Sequence, residues 1–589
     1  MPGIQDFREI VFADFEFRAP AGNRPEPVCC IAKELHSGRV HRIWQDDFQR
    51  MRNPPYPVDG NSLFVAYFAS AEIGCHLALD WPSPEYILDL YAEFRCLTNG
   101  YELPAGRGLL GAMVWFGLPV GDQAAKDAMR ELILNRESYT AEERTRILDY
   151  CESDVDNLAA LFTRMVPRID NFPAALLRGG YMAGVAWMEH LGIPVDSVTH
   201  NQIGERWVDI QKKVVAAISR KYPVYDGVTF KHDRFEKYVS DHNLDWPRLD
   251  TGKLATDDDS FRQMASRYPE IGPLRDARRV LSQLRLTSLQ IGSDSRNRCL
   301  LSPFQSKTGR NQPSNSKFVF GAPAWMRGLV QPEPGFGLAY LDYEQQEFGI
   351  AAALSGDVAM QRAYTSGDPY LAFAQLVGAV PAGATKHTHG AVREQFKTLL
   401  GLGVMYQMQA PGLAWRLRSS ANYAAELLKL HRHSFPRYWK WQESVLDFAH
   451  LKGYLPTVHD WRLHVTGRTK DRTLANFPMQ AHGAEILRLA CWWATRLQLR
   501  ILAPIHDALL VEAPLAALDS TVQSMASLMR QASSQVLRGF SLRIETKVIR
   551  HPERLIEKRG QAMWDLIQQA LRDGRDGGDG RDGGDATYI

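Results

Sequence analysis

The chain has no cysteine pattern that could build anything. Its seven cysteines, at 29, 30, 75, 96, 151, 299 and 491, are odd in number and fall without metal-ligand spacing. That excludes a disulfide framework and a structural zinc site, and it suits a reducing compartment. No apolar run reaches the roughly 18–20 residues that cross a bilayer. The opening MPGIQDFREIVF has neither the basic nor the apolar region of a secretory signal. The expectation is a soluble, cytoplasmic protein with no membrane partner. Net charge is also scarce, at +2, so bulk electrostatics argues neither for nor against nucleic acid; a basic groove would have to be local and offset by acids elsewhere. What is present is ordinary for a globular protein: 45% hydrophobic, 23% charged, 10% aromatic over 589 residues. That length exceeds one hydrophobic core and predicts roughly two to four domains.

Along the chain the texture changes. Residues to about 170 read as α/β, with strands at Ile10–Phe15 and Leu63–Tyr67 and helical periodicity over Ala141–Met165. From about 175 to 290 helical patterns dominate, as in Ile203–Arg220 and Gly272–Leu289. A polar loop, SKTGRNQPSNSK, precedes the strand GLAYLD and a long helical run. RILAPIHDALLVEAP reads as two strands joined by a tight turn at His506–Asp507. The end, 571–589, is Gly/Asp/Arg low complexity and is expected to be disordered.

The chemistry sits on carboxylates. An apolar strand delivers Asp342 at its tip, and a helix starting near Tyr343 carries Gln346 and Glu347. A strand-end carboxylate is rigidly placed for a metal ion, although such an Asp also serves as a helix N-cap. Asp507 lies at a hairpin turn, where Asp is favoured for local hydrogen bonding as well. On adjacent strands, the two could hold a metal pair for phosphoryl transfer; spacing does not show adjacency. Between them Arg393 and Lys397 are four apart, on one helix face, able to reach a triphosphate together. At the N-terminus, Asp14 and Glu16 are two apart and share one side of an extended segment, while Tyr150 and Asp154 share a helix face. Three acids and a water-orienting tyrosine suit phosphodiester hydrolysis with two metal ions.

In this order the segments resemble family A DNA polymerases, the group of bacterial DNA polymerase I and many phage replicases. The resemblance rests on DYEQQE at 342–347, on Arg393, Lys397 and a following Tyr406, and on HDA at 506–508; KTGR at 307–310 and NFPMQ at 476–480 support it. It covers about residues 175–560. It implies that Asp342 and Asp507 are metal ligands, that Arg393, Lys397, Tyr406, Gln346 and Glu347 form the dNTP site, and that Lys397 also protonates pyrophosphate. Glu347 would be the steric gate against a ribose 2′-OH. Thr308, Arg310, Asn476, Gln480 and His506 would contact primer–template DNA. The front of the chain is similar to the DEDD-type 3′→5′ exonucleases that precede such polymerases, in their Tyr-containing branch. Asp14, Glu16, Tyr150 and Asp154 would be catalytic there. The middle acid falls in YFASAE, where Glu72 fills the position and Asp89 is a further candidate.

Three departures stand out. Ala508 occupies the place of the family's usual Glu, and Gln407 that of a Gly. Lys397 and Tyr406 are nine residues apart instead of eight, which turns Tyr406 by about 100° on a regular helix. A one-residue π-bulge near Gly401 or Gly403 would restore the register.

The expected architecture is therefore α/β and α+β multidomain. An RNase H-like exonuclease domain (1–170) precedes a right-hand polymerase (175–570). The thumb would span about 175–300, the palm about 300–355 and 455–550, and the fingers about 356–450. The expected activity is primer extension with dNTPs by two-metal transfer with proofreading, Mg²⁺ being held two per site and replaceable by Mn²⁺. A monomer acting as a phage or plasmid replicase in a bacterial or phage-infected cytoplasm fits a chain with no room for a 5′-nuclease domain. The alternatives are a single-subunit RNA polymerase, or an exonuclease whose polymerase half only binds DNA.

Overall fold

The computed structural model describes residues 2–121, 123–281, 288–404, 408–417 and 419–576. They form two compact units. The first comprises Met1–Ile193, Gly292–Pro313 and Gly335–Val548, and the second Pro194–Ile291, Ser314–Pro334 and Ile549–Ile589. The units cut across the ranges expected from sequence: residues 314–334 and 549 onward join the helical middle.

Among the described residues the first unit holds two larger sheets, one of five strands and one of four. The N-terminal sheet has five strands, β1 (Glu9–Arg18), β2 (Glu26–Glu34), β3 (Val40–Trp44), β4 (Ser62–Ala66) and β5 (Ile87–Asp89), in the order β3-β2-β1-β4-β5. The β1–β2 and β2–β3 pairs are antiparallel, whereas β1–β4 and β4–β5 are parallel. Ser62–Ala66 is buried at every position, as a strand covered on both faces must be. Helices α1 (Ser70–Ala78), α2 (Leu90–Thr98), α3 (Gln123–Asn135) and α4 (Ala141–Met165) surround the sheet. α4 spans the range its periodicity predicts; Thr140 caps it, accepting from the Glu143 amide, with Glu143 reaching back. Its buried Ile147, Cys151, Val155, Leu158 and Leu161 face β1 and β2 in one core with Phe12, Val28 and Ile31.

α5 (Phe172–Leu191) packs on β5 and α1 on one side and on the C-terminal sheet on the other. Gly179 makes that approach close, since a Cβ there would stand 1.9 Å from the Ile87 carbonyl oxygen. The second sheet is built from β6 (Phe336–Tyr343), β7 (Arg500–Ile505), β8 (Ala508–Pro514) and β9 (Ile544–Arg550), ordered β7-β8-β6-β9. β8 is antiparallel to both β6 and β7. After β6 come α6 (Gln346–Ser355), α7 (Pro369–Leu376) and α8 (Gly390–Thr398), and α9 (Asp471–Arg496) runs behind the sheet. α6 starts at Gln346, three residues later than expected, because Gln345 takes a left-handed conformation (φ 45°) and breaks the run.

In the second unit, the helix expected over 203–220 is two, Ser197–Glu205 and Trp207–Ser219. The Gly272–Leu289 pattern forms a helix over Gly272–Leu281, with 282–287 outside the described residues. A core of Phe235, Trp246, Phe261 and Leu274 organises this unit. Its C-terminal helix runs Lys558–Asp576, so residues 571–576 are helical where disorder was expected; 577–589 lie outside the described residues. Among the described residues no helix is long and apolar enough to cross a membrane.

Candidate active sites

The C-terminal site forms where β6 meets the β7–β8 turn. Asp342 is the register partner of Ala508, so the residue before it, Asp507, stands beside Asp342, and the Tyr343 amide donates to the Asp507 carbonyl (3.2 Å). The turn is tight because His506 is left-handed (φ 58°), a conformation that local polar residues tolerate. Two carboxylates side by side in a poorly hydrated place cannot both ionise cheaply. Burial, then Asp507, pushes Asp342 up to about 7, with Glu545 on β9 contributing; burial also raises Asp507. One Asp342 oxygen is buried with no hydrogen-bond partner. Paired hard oxygen donors, one of them unpaired, with excess negative charge, fit a Mg²⁺-type cation.

Near the pair, Arg310 and Glu347 lie close enough to Asp507 to interact with it electrostatically. Arg310 Nη2 lies 3.8 Å from Glu347 Oε1, and Gln480 also bonds Glu347, whose carboxyl burial raises. Gln346 is buried. Asn476 is buried and donates to the Arg472 carbonyl of its own helix (2.8 Å); Thr308 pairs with Ser306 (3.1 Å). His506 is exposed.

The helix α8 places Arg393 and Lys397 as the spacing predicts, with Lys397 exposed. Arg393 is mostly buried and already engaged: its Nε donates to Asp368, which also caps α7, and Nη1 to Glu394 (2.8 Å). Nothing in the sequence pattern marked Asp368 as its partner. After α8, Leu399–Val404 is π-helical, with the wider turn expected around Gly401 or Gly403. Tyr406 and Gln407 lie outside the described residues.

The N-terminal site lies where β1, α1, α3 and α4 converge. Asp14 and Glu16 leave β1 on one side, next to an irregularity between Glu16 and Phe17 that re-aims the strand. Ligand atoms of Asp14, Glu16 and Cys151 lie within 4.8 Å of one another, and the Cys151 thiol donates to an Asp14 carboxylate oxygen (3.4 Å). Burial, then Asp154, raises Asp14 to about 7; Glu16 rises through burial and Asp14. Tyr150 bonds Asp154, and burial raises its hydroxyl. Glu72, at the start of α1, is buried with Oε2 unpartnered and feels Asp14 and Glu16. Asp89 is not part of the cluster's hydrogen-bonding: its carboxylate caps α2, accepting from the Ala92 (2.6 Å) and Ala69 (2.5 Å) amides. Each of its oxygens keeps a second lone pair, and its charge still bears on Glu72. The four carboxylates fit a hard cation and the thiol does not. Sequence reading missed Lys126 on α3, whose ammonium is paired with Asp154; no motif announces it.

Residues 321–550 match the family model described as DNA polymerase family A. The DNA polymerase I of Chloroflexus aurantiacus is 29% identical over 231 residues, covering 36% of this chain and 24% of that protein. A thermostable DNA polymerase I of Thermus thermophilus is 29% identical over 35% of this chain and 26% of its own length. That of Bacillus caldotenax is 22% identical over 62% of this chain and 44% of its own length. The chain thus spans about a quarter of the first two relatives. A solved structure, the POL domain of Pol1 from M. smegmatis in complex with DNA primer-template and dNTP, shares the fold. Its TM-score is 0.69 at 18% identity, covering 92% of this chain and 95% of that one.

Proposed function

We propose that the chain is a template-directed DNA polymerase that extends a primer 3′ end with dNTPs. The observation that carries this is the meeting of Asp342, near the end of β6, with Asp507, in the turn that enters the neighbouring antiparallel strand β8, within the matched segment. Asp342 and Asp507 would hold Mg²⁺, which when bound supplies an activated attacking oxygen and a stabilised leaving one. Arg393 and Lys397 take the triphosphate, Arg393 exchanging Asp368 for phosphate oxygens. Lys397, exposed on α8, is the proton donor to pyrophosphate. Glu347, held by Arg310 and Gln480, crowds a ribose 2′-OH and makes the product DNA. Thr308, Arg310, Asn476, Gln480 and His506 face the primer–template.

The front of the chain is read as an RNase H-like 3′→5′ proofreading exonuclease. The mixed sheet order β3-β2-β1-β4-β5 and the gathering of Asp14, Glu16, Glu72 and Asp154 support it. Those carboxylates would hold its Mg²⁺, and Tyr150, bonded to Asp154, orients the attacking water. Glu72 fills the middle position with a longer side chain.

Primer extension on a primed template, wild type against Asp507→Ala, with Mg²⁺ or with chelator, tests the reading. Wild type should extend with dNTPs only when metal is present, and the variant should not. Wild type that degrades a primer but never extends it would leave a DNA-binding nuclease; preference for rNTPs would point to an RNA polymerase.

A further inference from the structure

The segment 303–310, which carries the KTGR motif, is a loop whose backbone is held by side chains. Pro303 accepts from the Tyr91 hydroxyl (3.4 Å). Phe304 and Gln305 accept from the Arg95 guanidinium (3.2 and 3.3 Å). Lys307 accepts from the Asn99 amide (2.7 Å) and the Trp461 indole (3.0 Å), and Gly309 from Arg488 (2.9 Å). Loops ordinarily leave such carbonyls to water. Here five of them turn inward, and Tyr91, Arg95 and Asn99 all belong to α2 or its C-cap, in the N-terminal α/β domain.

The joint is built to close tolerance. Asn99 is 1% exposed, and its Nδ2 also donates to the Arg462 carbonyl (2.8 Å), while the His464 amide donates to the Asn99 carbonyl (2.8 Å). Gly100 follows at φ 108°, where a Cβ would meet the His464 carbonyl oxygen at 2.3 Å. Nearby, Glu93 of α2 is locked to Arg178 by two buried bonds (2.6 and 2.7 Å), and Arg178 also donates to the His459 carbonyl (2.8 Å). Gly309 is left-handed (φ 75°), with Arg488 and Trp461 packed against it. With the carbonyls pinned inward, Lys307 is left exposed and Thr308 and Arg310 half-buried.

We propose that α2 and the Asn99–Gly100 turn are a positioning element for the primer–template duplex. The N-terminal domain holds 303–310 in the shape in which Lys307, Thr308 and Arg310 meet a nucleic-acid backbone. This rests on the polymerase reading and adds to it a polymerase role for a domain otherwise assigned to proofreading. Asn99 touches no substrate; it acts through the Lys307 carbonyl.

The test is binding of a primer–template duplex to the full chain across a KCl series, for wild type, Asn99→Leu and the near-isosteric Asn99→Asp, which cannot donate. Each phosphate contact contributes about 0.9 to the slope of log K against log salt. Both variants should raise the duplex Kd about tenfold and lower that slope by about one to two, with kcat at saturating DNA and the dNTP KM little changed. Arg95→Lys, which keeps the charge but not the paired donors, should fall between. A lowered melting temperature with unchanged Kd and salt slope would make Asn99 a stability residue and overturn the proposal. So would a changed dNTP KM at unchanged duplex Kd, or wild type that does not bind the duplex. Wild type that binds the duplex but cannot extend it refutes the polymerase reading alone, since the Kd and slope still report on the positioning.

Discussion

At the N-terminal cluster two acids leave one strand two residues apart and helices bring the rest; at the C-terminal cluster a strand supplies Asp342 and a hairpin turn supplies Asp507. The neighbouring cations differ too. Lys126 pairs directly with Asp154, itself one of the clustered carboxylates. Arg310 faces Glu347 at 3.8 Å and bears on Asp507 only through its charge, while Asp342 and Asp507 bond each other. Each cluster gathers more negative charge than its surroundings comfortably bury, and burial raises the carboxyls of both. The lesson is one of competition: a divalent cation entering the N-terminal cluster must contend with a lysine for Asp154, whereas none is paired to the C-terminal aspartates among the described ion pairs.

The most direct way to break the comparison is separation of function. Asp14→Ala with Glu16→Ala should reduce degradation of a 3′-labelled single strand at least about a hundredfold, since metal ligation is worth several kcal/mol of transition-state stabilisation. Primer extension should persist. Extension lost together with degradation would mean one shared site or a collapsed fold, which a melting curve would distinguish. A smaller effect is expected at α8. Asp368→Asn keeps the cap of α7 but removes the charge holding Arg393, so the dNTP KM should fall about fivefold, or ~1 kcal/mol. A KM that rises instead would make Asp368 an orienter of Arg393 and no competitor. Smaller again, Lys126→Gln should lower the Mg²⁺ concentration for half-maximal exonuclease about threefold and leave that for extension alone. An unchanged Mg²⁺ requirement would dismiss the competition.

Much of the fold was readable because periodicity reports burial. Ile10 to Phe15 and the 3.6-residue repeat of Ala141–Met165 mark β1 and α4 directly. The π-helical turn at Leu399–Val404 was legible as an arithmetic surplus, one residue too many between Lys397 and Tyr406. The adjacency of Asp342 and Asp507 was not, since strand pairing across 165 residues leaves no local trace; the likeness to a family supplied it. Nor did any pattern disclose Lys126, Asp368 or the bonds from α2 to 303–310. Each is a contact between elements distant in sequence, which no local pattern reports.

The smallest effect probes α5, the helix that packs on elements of both sheets. Glu189, near its end, accepts a hydrogen bond from the Leu301 amide (2.7 Å), and burial pushes its carboxyl up to about 8. In the unfolded chain the same group ionises near 4.5. Between those pH values the folded state binds the extra proton, so stability falls as pH rises from about 4.5 to about 8. Glu189→Gln keeps an acceptor for Leu301 and removes the titration. The variant should therefore melt above wild type at pH 8, by about 1–3 °C, and the difference should shrink toward zero as pH approaches 5. An offset that does not change with pH would place the effect in packing. If α5 ties the two sheets into one cooperative body, a single transition moves; if only one of two resolved transitions responds, the N-terminal and C-terminal regions melt apart, and the restraint that α2 places on residues 303–310 would be lost with the first.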